Sequence, residues 1–196
     1  MKSICVFCGS SIGNNHIYKS AAIDLGKHLA EKDITLVYGG GNIGLMGVIA
    51  NSALKNNGKV IGVIPQSLQD KELAHEGVSK MYVVKSMHER KALMAQISDA
   101  FVALPGGFGT FDELFESLTW NQLEIMNKPI AVYNINGYFD FLIKLLKQSV
   151  AENFLRKEHY KNLIVASEPE KLIQKLKRFK PAVAEKWIEE LKKDID

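Results

Sequence analysis

Two residues in this chain have a type and setting that could do chemistry on a ligand. One is Arg90, in Ser86-Met87-His88-Glu89-Arg90-Lys91. The other is Glu113, which closes Pro105-Gly106-Gly107-Phe108-Gly109-Thr110-Phe111-Asp112-Glu113. Ser86 and Glu89 have capping-box spacing, S-x-x-E, which predicts a helix opening there. That accounts for Glu89. It leaves Arg90 and Lys91 as cations in the first turns, beside the positive end of the helix dipole. Either they reach solvent, or Arg90, alone or with Lys91, points at a phosphate or an acidic group. Thr110 and Glu113 repeat the spacing. In one reading Glu113 is a helix cap worth on the order of 1 kcal/mol. In the other it is a carboxylate at a pocket rim, one turn beyond a glycine-built anion cradle. There it could bond sugar hydroxyls or stabilise a developing positive charge. The spacing alone does not choose between them.

The elements that must position these residues alternate from start to end. Strand-like apolar runs lie at Ser3–Cys8, Thr35–Tyr38, Val60–Ile64, Met81–Val84, Ala100–Leu104, Pro129–Tyr133 and Leu163–Ala166. They are nearly continuous in Val, Ile, Leu and Ala, as strands covered on both faces should be. Helical patterns are expected near 16–31, 44–56, 87–98, 111–125, 138–152, 169–179 and 182–193. The alternation predicts an α/β fold, a Rossmann-like three-layer sandwich with a mostly parallel central sheet of about seven strands. It would form one nucleotide-binding domain over residues 1–196. Residues 65–79 form the longest irregular stretch, a plausible loop over a site.

In such folds ligands bind outside the carboxyl ends of the strands. At that edge the sequence places Gly9-Ser10-Ser11, then Gly39-Gly40-Gly41-Asn42-Ile43-Gly44-Leu45-Met46-Gly47, then Pro105 to Thr110. Glycine-rich turns before helix N-termini expose backbone amides that cradle an anion, usually phosphate. The run from Gly39 to Gly44 is close to a dinucleotide fingerprint. However, it follows the second strand, and Ile64-Pro65-Gln66 stands where the ribose-binding acid belongs, so NAD is disfavoured. No G-K-[ST] is present, which removes a P-loop nucleotidase. Ser10 and Ser11 have no triad signature and serve at most as ligand hydrogen bonds. Met46, Met87 and Met94 would line or underlie the crevice, with core packing the default.

At 196 residues, 46% hydrophobic and 24% charged, the chain reads as an ordinary globular protein. The net charge of +3 comes largely from C-terminal lysines interleaved with acids, a solvated helix face and not a nucleic-acid surface. No apolar run approaches the ~20 residues of a membrane span, and the N-terminus runs straight into a strand. A cytoplasmic location is expected. Cys5 and Cys8 form a C-x-x-C, but within a strand their odd spacing puts them on opposite faces, as buried structural thiols. His16, His28, His75, His88 and His159 are scattered, so no metal site is expected.

Together these segments resemble the LONELY GUY (LOG) family. Pro105 to Glu113 matches its P-G-G-x-G-T-x-x-E signature. The resemblance extends through Cys5 to Ser11, Tyr38 to Gly41, Gly44 to Gly47, Met87 to Lys91, Trp120-Asn121-Gln122-Leu123 and Asn136-Gly137-Tyr138-Phe139, roughly residues 3 to 180. It implies a Rossmann-like homodimer that hydrolyses the N-glycosidic bond of a nucleoside 5′-monophosphate, releasing the base and ribose 5-phosphate without metal or organic cofactor. It further implies Arg90 and Glu113 as the catalytic pair and Gly107 to Thr110 as the phosphate loop. Glu72, Met87, Lys91, Gly106, Phe111, Asp112 and Thr119 complete the substrate site. The chain departs from the family pattern at Glu124 and Met126, where Gly and His are common, and at Asp112, where Glu is common. The first two are expected to affect an interface or the base end more than the chemistry. The rival class is a non-catalytic nucleotide-binding module. The family's lysine decarboxylase label is the second alternative, and no lysine here has a distinctive pyridoxal-phosphate setting.

Overall fold

The computed structural model describes residues 1–69, 71 and 74–182. The apolar runs become β1 (Ser3–Phe7), β2 (Thr35–Tyr38), β3 (Val60–Pro65), β4 (Lys80–Val84), β5 (Ala100–Ala103), β6 (Ile130–Tyr133) and β7 (Leu163–Ala166). They pair in parallel throughout, in the order β4-β3-β2-β1-β5-β6-β7. The helices are α1 (His16–Glu31), α2 (Gly44–Lys55), α3 (Gln66–Gln69), α4 (Met87–Ile97), α5 (Phe108–Gln122), α6 (Asp140–Ala151), α7 (Lys157–Lys161) and α8 (Pro169–Lys177). The expected α/β sandwich is the fold observed.

The sheet separates two cores. Ile4, Val6, Leu36 and Tyr38 pack with Leu25 and Leu29 of α1, Ile49 of α2 and Leu172 of α8. Cys5, Phe7, Val37 and Phe101 face the other way, against Met94 of α4 and Leu114 of α5. Cys5 and Cys8 are buried, unpaired and in opposite cores, as strand alternation requires. The winding reverses between β1 and β5, which are hydrogen-bonded neighbours. That is the switch point where a doubly wound sheet leaves a crevice.

Several boundaries differ from expectation. The helix expected from 111 begins at Phe108, with Gly107 as N-cap and no side-chain cap bond. Thr110 and Glu113 therefore form no capping box. The spacing matches, but the chain is already helical three residues earlier because Gly107 and the turn before it start the helix. The helix expected at 138–152 starts at Asp140, after a 3-10 turn at Ile135–Gly137. The short α3 and α7 were not expected, and the last expected helix falls almost wholly outside the described residues. The cap at Ser86 does form, with the returning glutamate bond reaching one residue further back than in a capping box. Ser86 Oγ accepts from the Glu89 amide at 3.2 Å, and Glu89 Oε2 accepts from the Lys85 amide at 2.8 Å.

Four helices end in the same way. After α1, α2, α5 and α6, the second residue past the helix has positive φ: Asp33, Asn57, Glu124 and Asn153. The amide following each bonds back to the third-last helical carbonyl, for example Ile125 N to Trp120 O at 2.9 Å. Asn and Asp tolerate the left-handed region, whereas glutamate gains nothing from it. Glu124 is the position where the family commonly has glycine, so its departure has a backbone cost. Glu124→Gly is expected to stabilise the protein by about 1 kcal/mol, read as a higher urea midpoint with unchanged slope.

Candidate active site

A cleft of about 410 Å³ opens at the carboxyl ends of β1, β2 and β5. The turn after β1 supplies Cys8, Gly9 and Ser10. The turn after β2 supplies Gly39, Gly41 and Ile43. α4 supplies Met87 and Arg90. The head of α5 supplies Gly107, Phe108, Gly109, Thr110, Asp112 and Glu113. The glycine turns interlock. Gly9 N donates to Pro105 O at 3.1 Å, and Leu45 N to Gly9 O at 3.0 Å. A Cβ at Gly44 would overlap the Ser10 backbone, and one at Gly106 would overlap the Thr110 side chain. At Gly107 and Gly109 a Cβ would meet nothing within 4 Å. Those two glycines leave the first-turn amides of α5 uncovered, and helical bonding does not use such amides.

Arg90 and Glu113 meet in this cleft. Their Nη2 and Oε1 are 3.6 Å apart, and each side chain is 11% exposed. Arg90 also has Nη1 3.6 Å from Met87 Sδ, and its buried Nε has no partner among the described residues. A buried guanidinium with one long ion pair keeps most of its donors unspent, which is costly unless an anion meets them. Position four of α4 points it inward because Gly39 lacks a side chain. A Cβ there would collide with the guanidinium.

Burial pushes Glu113 from the ordinary 4.5 up to about 7, against the pull of Arg90 and with a further push from Asp112. An acid raised in this way binds its proton more tightly when folded. Its contribution to stability is complete below about pH 4.5 and is lost as pH rises through about 7. Relative to Glu113→Gln, the wild type is therefore expected to lose on the order of 3 kcal/mol between pH 4.5 and 8. Thermal unfolding of both across that range checks it. Burial, then the Glu113 charge, pushes the Cys8 thiol up, so it is no nucleophile despite lining the cleft.

The remaining expected site residues divide. Met87, Arg90, Gly107, Phe108, Gly109, Thr110, Asp112 and Glu113 converge on the cleft. Lys91 does not line it. It binds Asp112 at 3.2 Å and Glu116 at 2.9 Å along the flank of α5. Burial alone would pull Lys91 down, but the bonds to Glu116 and Asp112 hold it above the usual lysine range. Gly106 sits beneath the loop, and Phe111 packs into the core. Thr119 lies two turns along α5 from Glu113 and lines a separate cavity with Phe115 and Leu146. Glu72 lies outside the described residues. Met46 lines the cleft and Met94 lies in the core below it. The cleft also draws in Gly39, Ile43, Ile64 and Leu68. Of these, only the glycine run was visible as a signal. Among the described residues no group of His, Cys, Asp or Glu is arranged to hold a metal. None of their helices is long and apolar enough to cross a membrane.

Fold and site together define a doubly wound α/β protein with a glycine-lined crevice and a buried Arg–Glu pair at its switch point. Comparison with known proteins gives the family and supports the fold. The family model described as "Possible lysine decarboxylase" matches residues 46–176. The chain is 43% identical over 195 residues to the probable cytokinin riboside 5′-monophosphate phosphoribohydrolase LOGL2 of Oryza sativa subsp. japonica, covering 100% of this chain and 80% of the relative. It is 46% identical over 180 residues to the cytokinin riboside 5′-monophosphate phosphoribohydrolase LOG1 of Arabidopsis thaliana, covering 92% and 84%. The chain belongs to the LOG family. Among solved structures, the molybdenum cofactor binding protein of Rippkaea orientalis superposes with a TM-score of 0.68 at 25% identity, covering 91% of this chain and 97% of that one. The carrier protein for the same cofactor from Chlamydomonas reinhardtii, at 21% identity and TM-score 0.67 over 90% and 96%, shares the fold.

Proposed function

We propose that this protein is an N-glycosyl hydrolase that cleaves adenosine 5′-monophosphate, or its N6-modified forms, to free base and ribose 5-phosphate. The observation that carries this reading is the buried Arg90–Glu113 pair at the mouth of an open glycine cradle. The names of the relatives, cytokinin riboside 5′-monophosphate phosphoribohydrolases, give the reaction class.

The chemistry follows from the positions. Phosphate on the α5 amides and Arg90 holds the sugar at a fixed distance from Glu113. Loss of the base develops positive charge at the anomeric carbon. The Glu113 carboxylate stabilises that charge and takes a proton from the water whose oxygen bonds there. The base departs with its bonding electrons and takes a proton at a ring nitrogen from solvent, and Glu113 returns its own proton to solvent, so the step balances. A guanidinium keeps its protons, so Arg90 serves as anchor and orienter of Glu113. Since the carboxylate form acts, base release is expected to rise with pH through about 7.

Lysine decarboxylation by pyridoxal phosphate requires a lysine in the site. Among the described residues lining the cleft there is none, and Lys91 is held by two carboxylates. The cofactor does not fit these residues.

The working assembly in this reading is a homodimer. Phe115 of α5, Leu123 and Ile125 after it, and Phe141 and Leu145 of α6 are exposed, more apolar surface than adjacent helices of a monomer usually leave bare. Thr119 lies on this side, beside Phe115. The two buried free thiols suit a cytoplasmic setting.

The test is incubation of the purified protein with AMP and with isopentenyladenosine monophosphate, with chromatography for free base and sedimentation for mass. Base release by a dimer is expected. Tight nucleotide binding without base release would replace this reading with the non-catalytic module.

A further inference from the structure

We infer that Tyr138 is a positioning residue for the anion cradle; this rests on the phosphate-binding role proposed above for the head of α5. Its phenol donates to the Gly106 carbonyl at 2.6 Å, across a sequence separation of 32. Tyr138 is absent from the cleft lining, so it acts through the loop and not on ligand.

The argument is geometric. A trans peptide is planar, and its carbonyl and N–H point in opposite directions. Among the described residues no peptide is cis. Fastening the Gly106 carbonyl toward Tyr138 therefore fixes the Gly107 N–H on the opposite side. Gly107 is the N-cap of α5 and lines the cleft. The preceding peptide is fastened in the same way, because Gly9 N holds Pro105 O at 3.1 Å. Two bonds from two different elements thus orient consecutive peptides of a turn that glycine would otherwise leave free. Glycine has the widest backbone freedom of any residue, so an outside fastening matters most where glycines are adjacent.

The phenol itself is held. Its ring meets Tyr18 edge-on at 5.7 Å and Phe139 edge-on at 5.1 Å. The backbone that presents it turns sharply through Asn136 (φ 50°) and Gly137 (φ 71°). Asn134 braces that turn, accepting from the Phe139 amide at 2.8 Å and donating to Asp140 Oδ1 at 2.7 Å. A hydroxyl carried on such a support arrives already oriented, which is what preorganising a binding loop requires.

Tyr138→Phe tests this, since it removes one oxygen and keeps the ring contacts. Tyr18→Phe is the control, removing a hydroxyl from the neighbouring ring without touching Gly106. The readouts are ribose 5-phosphate and adenosine affinities by calorimetry, with KM and kcat for the nucleotide. For Tyr138→Phe, ribose 5-phosphate binding is expected to weaken about fivefold, the size of one hydrogen bond. KM should rise to match, with kcat within about twofold. Adenosine, which has no phosphate, should bind as before, and Tyr18→Phe should match wild type throughout. Unchanged ribose 5-phosphate affinity in Tyr138→Phe overturns the inference, as does equal weakening of adenosine. A Tyr138→Phe chain that does not fold makes the hydroxyl a general structural fastening and overturns it also. If wild type itself binds no ribose 5-phosphate, the phosphate cradle falls first and the inference with it.

Discussion

Glu113→Gln is expected to lower base release by about 10³-fold, within the range for loss of a positioned acid–base group, while the chain folds normally. The fold is spared because Glu113 caps nothing. α5 starts at Phe108, and the glutamate lies in its second turn with only 11% of its side chain exposed. Glutamine fills the same volume. It gives up the counter-charge to Arg90 at 3.6 Å, and it also gives up the desolvation that pushes the carboxyl up to about 7. Burial outweighs the pull of Arg90 in that balance, so near and above neutral pH the folded Gln variant should be the more stable of the two, by on the order of 3 kcal/mol. The chemical step has no such compensation. An amide can neither take a proton from water nor offset a positive charge at the anomeric carbon. Chromatography of released base together with a thermal melt separates the two effects. Wild-type activity in a folded Gln variant would remove Glu113 from the mechanism. Lost activity with lost folding would return it to a structural role.

Gly39→Ala is expected to lower kcat/KM by about 100-fold with a modest loss of stability, about 1–3 kcal/mol. The added methyl would overlap the Arg90 guanidinium and come within 3.3 Å of Met46 Sδ. Gly39 does not need positive φ, so alanine is acceptable to the backbone and the conflict lies with the arginine. A long side chain yields more easily than a strand end. Arg90 is therefore displaced from Glu113 and from the cradle, while the sheet persists. A shift of about 1 Å in a positioning group is enough for this loss. Steady-state kinetics with circular dichroism checks it. Full activity in the alanine variant would show that the position of Arg90 is not critical. The position gives a cleaner readout than Arg90 itself, because nothing titratable is removed.

The architecture was legible because its signals are local and repeated. Continuous Val/Ile/Leu runs between amphipathic segments can be satisfied in few ways other than a parallel sheet covered on both faces. The edge carrying the glycine turns follows from strand direction, and the pair Arg90/Glu113 stands out by type and motif. Element starts were less legible. Thr110–Glu113 and Ser86–Glu89 have the same spacing, yet only the second forms a side-chain cap. The first fails because Gly107, itself free of any side chain, nucleates the turn earlier. Spacing cannot distinguish the two, since the difference lies in how the preceding loop is tied to β1.

By itself the sequence determined which groups were available: a guanidinium, a carboxylate, bare glycine amides, and strands that bring them to one edge. Only the tertiary structure decided what each does. It buried Arg90 and Glu113 together, turned Lys91 aside onto Asp112 and Glu116, and set Thr119 in a different cavity. The physical reason is that charge, desolvation and reach depend on neighbours distant in the chain. Gly39 makes room for Arg90 from 51 positions away, and burial moves Glu113 to about 7. No local pattern records either effect.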